Sequence, residues 1–156
     1  MDLATRAVTN LTDGYDNFPL WSPRGDLIMF ARLSSGTYDS GGTYDVYTIR
    51  PDGSDLKRLT NGSGNDAHMT WSSDGEYIAF ASSRRDFKDE AGYTDAPQPY
   101  GEFFVMRFDG TVVEQLTANQ WEDGAPGWQG VPARRAQAGG VEGAVEARLN
   151  DRPESW

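Results

Sequence analysis

The chain has 156 residues, 37% of them hydrophobic and 12% aromatic, with 18 Gly, 8 Pro, no Cys, and 14 Lys+Arg against 24 Asp+Glu. That is one domain's worth of soluble, turn-dense polypeptide, with no apolar run of membrane-spanning length and no cysteine for a disulfide scaffold or a thiolate metal site. A net charge of −10 argues against nucleic acid and anionic membrane as partners, because both are bound through clustered Lys and Arg.

The elements follow one another with a period. Residues 1–6 (MDLATR) read as a turn between two strands. Leu11-Thr12 comes next, then Trp21-Ser22-Pro23-Arg24-Gly25 and the apolar run Leu27-Ile28-Met29-Phe30-Ala31. A third run, Asp45-Val46-Tyr47-Thr48-Ile49, ends at Asp52-Gly53, and a fourth leads into Leu59-Thr60. The order then repeats as Trp71-Ser72-Ser73-Asp74-Gly75, Tyr77-Ile78-Ala79-Phe80-Ala81, Glu102-Phe103-Phe104-Val105-Met106, Asp109-Gly110 and Leu116-Thr117. A third copy stops at Trp128. Trp21, Trp71 and Trp128 are separated by 50 and 57 residues, and Asp16, Asp66 and Asp123 each stand five before their Trp.

Each unit holds four runs of β-branched and aromatic residues. Gly25, Gly53, Gly75 and Gly110 fall between runs, where tight turns favour a residue free to take positive φ. Four antiparallel strands recurring every fifty-odd residues make a propeller blade, and no helical apolar period occurs before residue 129. Residues 129–156 are rich in Ala, Gly, Arg and Glu, with Trp156 as their one aromatic. So little hydrophobic material does not offset the entropy of ordering the segment, which is expected to be a disordered tail. A short helix over 141–149 is marginal in isolation.

Leu-Thr, about ten residues, Trp-Ser-Pro-Asp-Gly, Ile-x-Phe and then Asp-Gly resembles the WD-like β-propeller repeat of the TolB family. That repeat also builds the propellers of tricorn-type and prolyl-oligopeptidase-type peptidases. The resemblance implies an all-β fold of antiparallel four-stranded propeller blades: about two and a half blades in an open arc over 1–128, with blades at about 18–60 and 68–117 flanked by partial ones. Arg24 stands where the repeat has Asp, and Ser73 where it has Pro. Closed propellers typically need about four or more blades, so the chain reads as a C-terminal fragment of a propeller. Missing blades, or self-association such as three copies giving about six blades, would then cover its open faces.

Propeller geometry puts the loops between the second and third strands (34–43 and 84–99) on the same face as the inter-blade loops (13–17, 61–66 and 118–123). That face gathers Tyr15, Tyr38, Phe87, Tyr93, Tyr100 and Trp121 beside Asp16, Asp66 and Asp123. An acidic, aromatic surface suits a protein or peptide of basic character, a cation or a sugar, whereas solvation of a loop-rich rim accounts for the same charges. His68 lies three before Trp71 in a position that lines the central channel; with no second His in the chain, a packed residue is favoured over a zinc ligand. Residues 61–66 (NGSGND) approximate a glycine-rich calcium repeat but occur once, which favours a plain turn. Recurrence of Asp16, Asp66 and Asp123 with the repeat favours a structural duty, such as accepting backbone N–H groups in the inter-blade turn.

The chain has no Gly-x-Ser-x-Gly elbow, no cysteine nucleophile and no glycine-rich phosphate loop. The expectation is therefore a non-catalytic segment, without cofactor or metal, that binds a protein or peptide through its loop face. The alternative is the propeller portion of a hydrolase or polysaccharide lyase whose chemistry lies outside this chain. For a lyase the resemblance implies several histidines and a metal, which His68 alone does not supply. It also implies a periplasmic or secreted location if the chain is truncated at its N-terminus, and a cytoplasmic one if Met1 is the true start; residues 1–6 carry no signal-peptide pattern.

Overall fold

The computed structural model describes residues 6–37, 42–84, 101–119 and 123–128. They form two four-stranded antiparallel sheets. The first has the order β1 (Asp16–Trp21), β2 (Ile28–Ser35), β3 (Thr43–Ile49), β4 (Lys57–Arg58). The second has the order β5 (Asp66–Trp71), β6 (Tyr77–Ser82), β7 (Glu102–Arg107), β8 (Glu114–Gln115). Each is a meander in which sequence neighbours pair, as the four runs per period predict. The expected tail at 129–156 lies outside the described residues, as does most of the loop at 84–99. No helix among the described residues is long and apolar enough to cross a membrane.

The turns show why the repeat signature has its residues. After β5, the Ser72 N–H donates to the Tyr77 carbonyl and the Gly75 N–H to the Ser72 carbonyl, both at 2.9 Å. Asp74 Oδ1 accepts the Ser72 hydroxyl at 2.6 Å and the Glu76 N–H at 2.9 Å. In the first blade Arg24 replaces that Asp, and Asp26 takes the Ser22 hydroxyl instead, at 2.6 Å. The turn survives because the carboxylate is supplied from two residues further on. Asp52 and Asp109 cap the following turns the same way, each accepting the N–H and hydroxyl of the residue two ahead, Ser54 and Thr111. Gly25, Gly53, Gly75 and Gly110 all have positive φ, between 72° and 86°.

Register sorts the side chains onto two faces. Ile28 pairs with Ile49 and Phe30 with Tyr47 in the first sheet; Ile78 pairs with Met106 and Phe80 with Phe104 in the second. These equivalent pairs point to the same side of their respective sheets, because side chains alternate along a strand. The core fills the space between the sheets, where Met29, Ala31 and Val46 of the first meet Met69, Trp71, Ile78, Phe80, Phe104 and Met106 of the second. Strand β5 is the docking element, packing against β1, β2 and β3. Burial of each large apolar side chain here contributes about 1.5–3 kcal/mol, which makes this interface the main source of stability.

Tryptophan closes the interface. The Trp71 indole is 7% exposed and donates to the Leu20 carbonyl of the preceding sheet at 3.4 Å. Trp128 repeats the contact on the second sheet, donating to the Thr70 carbonyl at 3.2 Å. In each case the acceptor is the residue before the previous repeat's Trp. Trp21, the first of the series, is 59% exposed.

Candidate binding face

The inner strands β1 and β5 begin at the loop face, and each opens on one of the recurring aspartates. Arg32 clasps Asp16 with two hydrogen bonds, Nε to Oδ1 at 2.6 Å and Nη2 to Oδ2 at 2.8 Å. Arg84 does the same for Asp66, its Nη2 reaching the two carboxylate oxygens at 3.1 and 2.9 Å. Each guanidinium also lies over two rings, Arg32 over Phe30 and Tyr47 and Arg84 over Phe80 and Phe104. These aspartates therefore hold guanidinium groups within the blade. Burial pushes the Asp16 carboxyl up, but hydrogen bonds from Arg32 and Thr12 and the Arg32 charge outweigh it and leave the carboxyl below its ordinary value. At the fully buried Asp66 desolvation prevails and the carboxyl is raised, despite the bonds from Ser82 and Arg84 and the Arg84 charge.

A second repeated cluster explains the Leu-Thr signature. Thr60 Oγ1 accepts the Val46 N–H at 3.0 Å and donates to Asp45 at 3.2 Å. Thr117 Oγ1 accepts the Phe103 N–H at 2.9 Å and donates to Glu102 at 2.7 Å. Asp45 and Glu102 are each 1% exposed, so the threonine satisfies a buried acid and a strand N–H together. Arg58 Nη2 completes the first cluster on Asp45 at 2.6 Å, while Asn119 donates its N–H to Glu102 at 3.3 Å in the second.

Among the described residues, aromatic side chains also line the mouth of the inner strands. Tyr15 is 70% exposed immediately before β1. Phe18 and His68 sit at a β-bulge in β1 and β5 with φ of 52° and 53°, and their rings touch at a centroid distance of 5.1 Å. A non-glycine residue at such a φ is uncommon, and its repetition shows that the bulge belongs to the blade design. Burial lowers the pKa of the His68 imidazole. Asp123 forms an isolated bridge with Gly101, and its carboxylate accepts from Asn119 at 3.0 Å. Tyr38, Phe87, Tyr93, Tyr100 and Trp121 lie outside the described residues.

The glycine-rich stretch at 61–66 is committed to the fold. Asn65 Oδ1 accepts the Tyr44 N–H at 2.7 Å, the Asn65 N–H donates to Ser83 Oγ at 2.9 Å, and Asp66 is held by Arg84. Among the described residues no group of three or more His, Cys, Asp or Glu side chains is arranged to hold a metal ion.

Antiparallel four-stranded meanders, stacked through their inner strands and locked by a periodic indole-to-carbonyl bond, define a β-propeller segment built from WD-like blades. No family model matches the chain. The Tol-Pal system protein TolB of Gluconobacter oxydans (strain 621H) is 36% identical over 75 residues, which is 48% of this chain and 15% of that protein. The crystal structure of TolB from Acinetobacter baumannii matches with a TM-score of 0.51 at 26% identity, over 78% of this chain and 27% of that one. The chain thus spans a minor part of the length of each relative, and its two blades are a TolB-like propeller segment.

Proposed function

We propose that this segment is non-catalytic and binds a protein or peptide through its loop face, with residues 1–128 acting as the propeller part and 129–156 as a tail. The observation that carries this is the aromatic exposure at the mouth of the inner strands: Tyr15 at 70% and Phe18 at 39%, beside His68. Aromatic side chains on rigid strands are low-entropy anchors for a partner. Asp16 and Asp66 are already matched by Arg32 and Arg84, so attraction for a basic partner falls to Asp13, Asp123 and the acids of loops 34–43 and 84–99. The similarity to a Tol-Pal system protein supports a role in a protein assembly.

The test is binding to an array of basic, neutral and acidic peptides, comparing the native chain with a variant carrying Tyr15→Ala, Tyr93→Ala, Tyr100→Ala and Trp121→Ala. The proposal expects binding weighted to basic peptides and at least tenfold weaker in the variant, with the far-UV spectrum unchanged. Equal binding by the two folded proteins would refute the assigned face.

A further inference from the structure

Asn61-Gly62, the one Asn-Gly pair in the sequence, opens the glycine-rich stretch between the two sheets. The loop is pinned on either side of this pair. Thr60 Oγ1 is tied to the Val46 N–H and to Asp45, Asn65 to the Tyr44 N–H and to Ser83, and Asp66 to Arg84. Between those anchors Asn61 is exposed and belongs to no strand. Among the described residues neither its carboxamide nor the Gly62 N–H has a hydrogen-bond partner.

Comparable pairs elsewhere are tied down. In Asp52-Gly53, Asp74-Gly75 and Asp109-Gly110 the glycine N–H donates to a carbonyl, that of Arg50, Ser72 or Arg107, at 2.9 Å. The carboxylate of each accepts the N–H two residues ahead. Asp13-Gly14 and Asp123-Gly124 also carry carboxylates, which when ionised repel a nucleophile where a neutral carboxamide accepts one. Asn65 is the other amide of the loop, and its side-chain oxygen is committed to Tyr44.

An unengaged Asn-Gly pair has a defined reactivity. Glycine has no Cβ to screen its nitrogen and leaves the backbone free to bend. The Gly62 nitrogen gives up its proton to solvent base and attacks Asn61 Cγ. A C–N bond forms, the carboxamide C–N bond breaks, and ammonia leaves with a proton taken back from solvent. Water then opens the cyclic imide. Addition at Cγ gives aspartate, whereas addition at the Asn61 backbone carbonyl carbon gives isoaspartate, whose main chain runs through Cβ and Cγ and is longer by one atom. Either way water replaces ammonia and a carboxylate replaces a neutral amide.

We propose that Asn61 is a site of spontaneous deamidation, and that its isoaspartyl product strains the loop against Arg84. The two are in contact: a Cβ added to Gly62 would lie 3.6 Å from Arg84 Nε, and one on Gly64 2.4 Å from the Arg84 backbone nitrogen. A loop lengthened between fixed ends shifts against that side chain, and the new carboxylate competes with Asp66 for its guanidinium. The reaction needs only water and is independent of what the loop face binds.

The experiment is timed incubation of the full chain in warm neutral buffer, followed by peptide mapping with chromatographic separation of aspartyl from isoaspartyl peptides, on the native chain and Gly62→Ala. Gly62 does not have a left-handed φ, and a Cβ there meets Arg84 at ordinary contact distance, so the variant is expected to fold. Asn61 should convert ahead of every other Asn and of the Asp-Gly turns, and about tenfold more slowly in Gly62→Ala. The deamidated native fraction, isolated by anion exchange on its extra negative charge, should unfold at lower urea than the Asn61→Asp chain, which carries the charge without the added backbone atom. Conversion of Asn61 no faster than that of Asn10 or Asn65, or unslowed in Gly62→Ala, overturns the site. A deamidated fraction as stable as Asn61→Asp overturns the strain at Arg84. Should Gly62→Ala fail to fold by circular dichroism, the order of conversion within the native chain decides the site alone.

Discussion

Trp71 and Trp21 occupy the same position in successive blades, and replacing each by Ala separates burial from sequence motif. Removing a fully buried Trp costs about 3–5 kcal/mol. Trp71 is 7% exposed, so most of a ~4 kcal/mol midpoint applies, and its lost indole bond leaves the Leu20 carbonyl to water. Trp21 is 59% exposed; scaling the same midpoint by its buried fraction gives about 1.5 kcal/mol. Urea denaturation followed by far-UV circular dichroism measures both. The expected result is a gap of about 2 kcal/mol between the variants with similar m-values. Equal losses would refute the reasoning, because they would mean that the blade-to-blade contact at Trp71 contributes nothing beyond what an isolated sheet provides.

Further outcomes follow from particular contacts. Thr117→Val removes the group that satisfies both Glu102 and the Phe103 N–H and should cost about 2 kcal/mol by the same denaturation, with Thr117→Ser recovering most of it. Arg24→Ala loses an exposed 2.8 Å pair with Glu76 and the stack over Phe108 at 4.5 Å; its cost should stay near or below about 1 kcal/mol, and the Arg24–Glu76 part should shrink in a double-mutant cycle at high salt. Both Gly53→Ala and Gly110→Ala strain a left-handed residue, at about 1 kcal/mol, but Gly110→Ala should melt lower because its Cβ would lie 3.0 Å from the Leu59 carbonyl oxygen against 3.8 Å from that of Leu11 at Gly53. Asp16 has a carboxyl pKa held below that of the unfolded chain, so its stabilisation is present above about pH 4 and is lost as pH falls through the lower folded value. Asp16→Asn should therefore lower stability at pH 7 and reduce the native protein's further loss on acidification from pH 4 to pH 2; an unchanged acid limb would remove Asp16 from the account.

Much of the fold is legible in the sequence because the repeat is written in turn residues. Gly25 and Gly75, Gly53 and Gly110 mark the strand ends, and the Trp residues mark the inner strands. The acid at the head of the third strand was legible too, had its spacing been used: Asp45 precedes Thr60 by 15 residues and Glu102 precedes Thr117 by 15. The arginine clamps are a different matter. Arg32 stands directly opposite Asp16 in the register, while Asp66 faces Ser82 and its clamp comes from Arg84, two residues further on. A long flexible side chain delivers one guanidinium to one place from two sequence positions, so no constant spacing betrays it. The role of Arg24 is likewise tertiary, because its partners Glu76 and Phe108 belong to the next blade.

The proposed binding face is legible only as a class of surface. The Phe18–His68 contact depends on a bulge that places those side chains, and neither composition nor period specifies where a partner's atoms would lie. The central claim, that the loop face does the binding, is tested most directly by hydrogen–deuterium exchange on the native chain with and without its tightest-binding array peptide. The account predicts slowed exchange in loops 13–17, 34–43, 61–66, 84–99 and 118–123, and no change at the opposite turns around Gly25, Gly53, Gly75 and Gly110. Protection concentrated at those turns, with the loops unaffected, would contradict it.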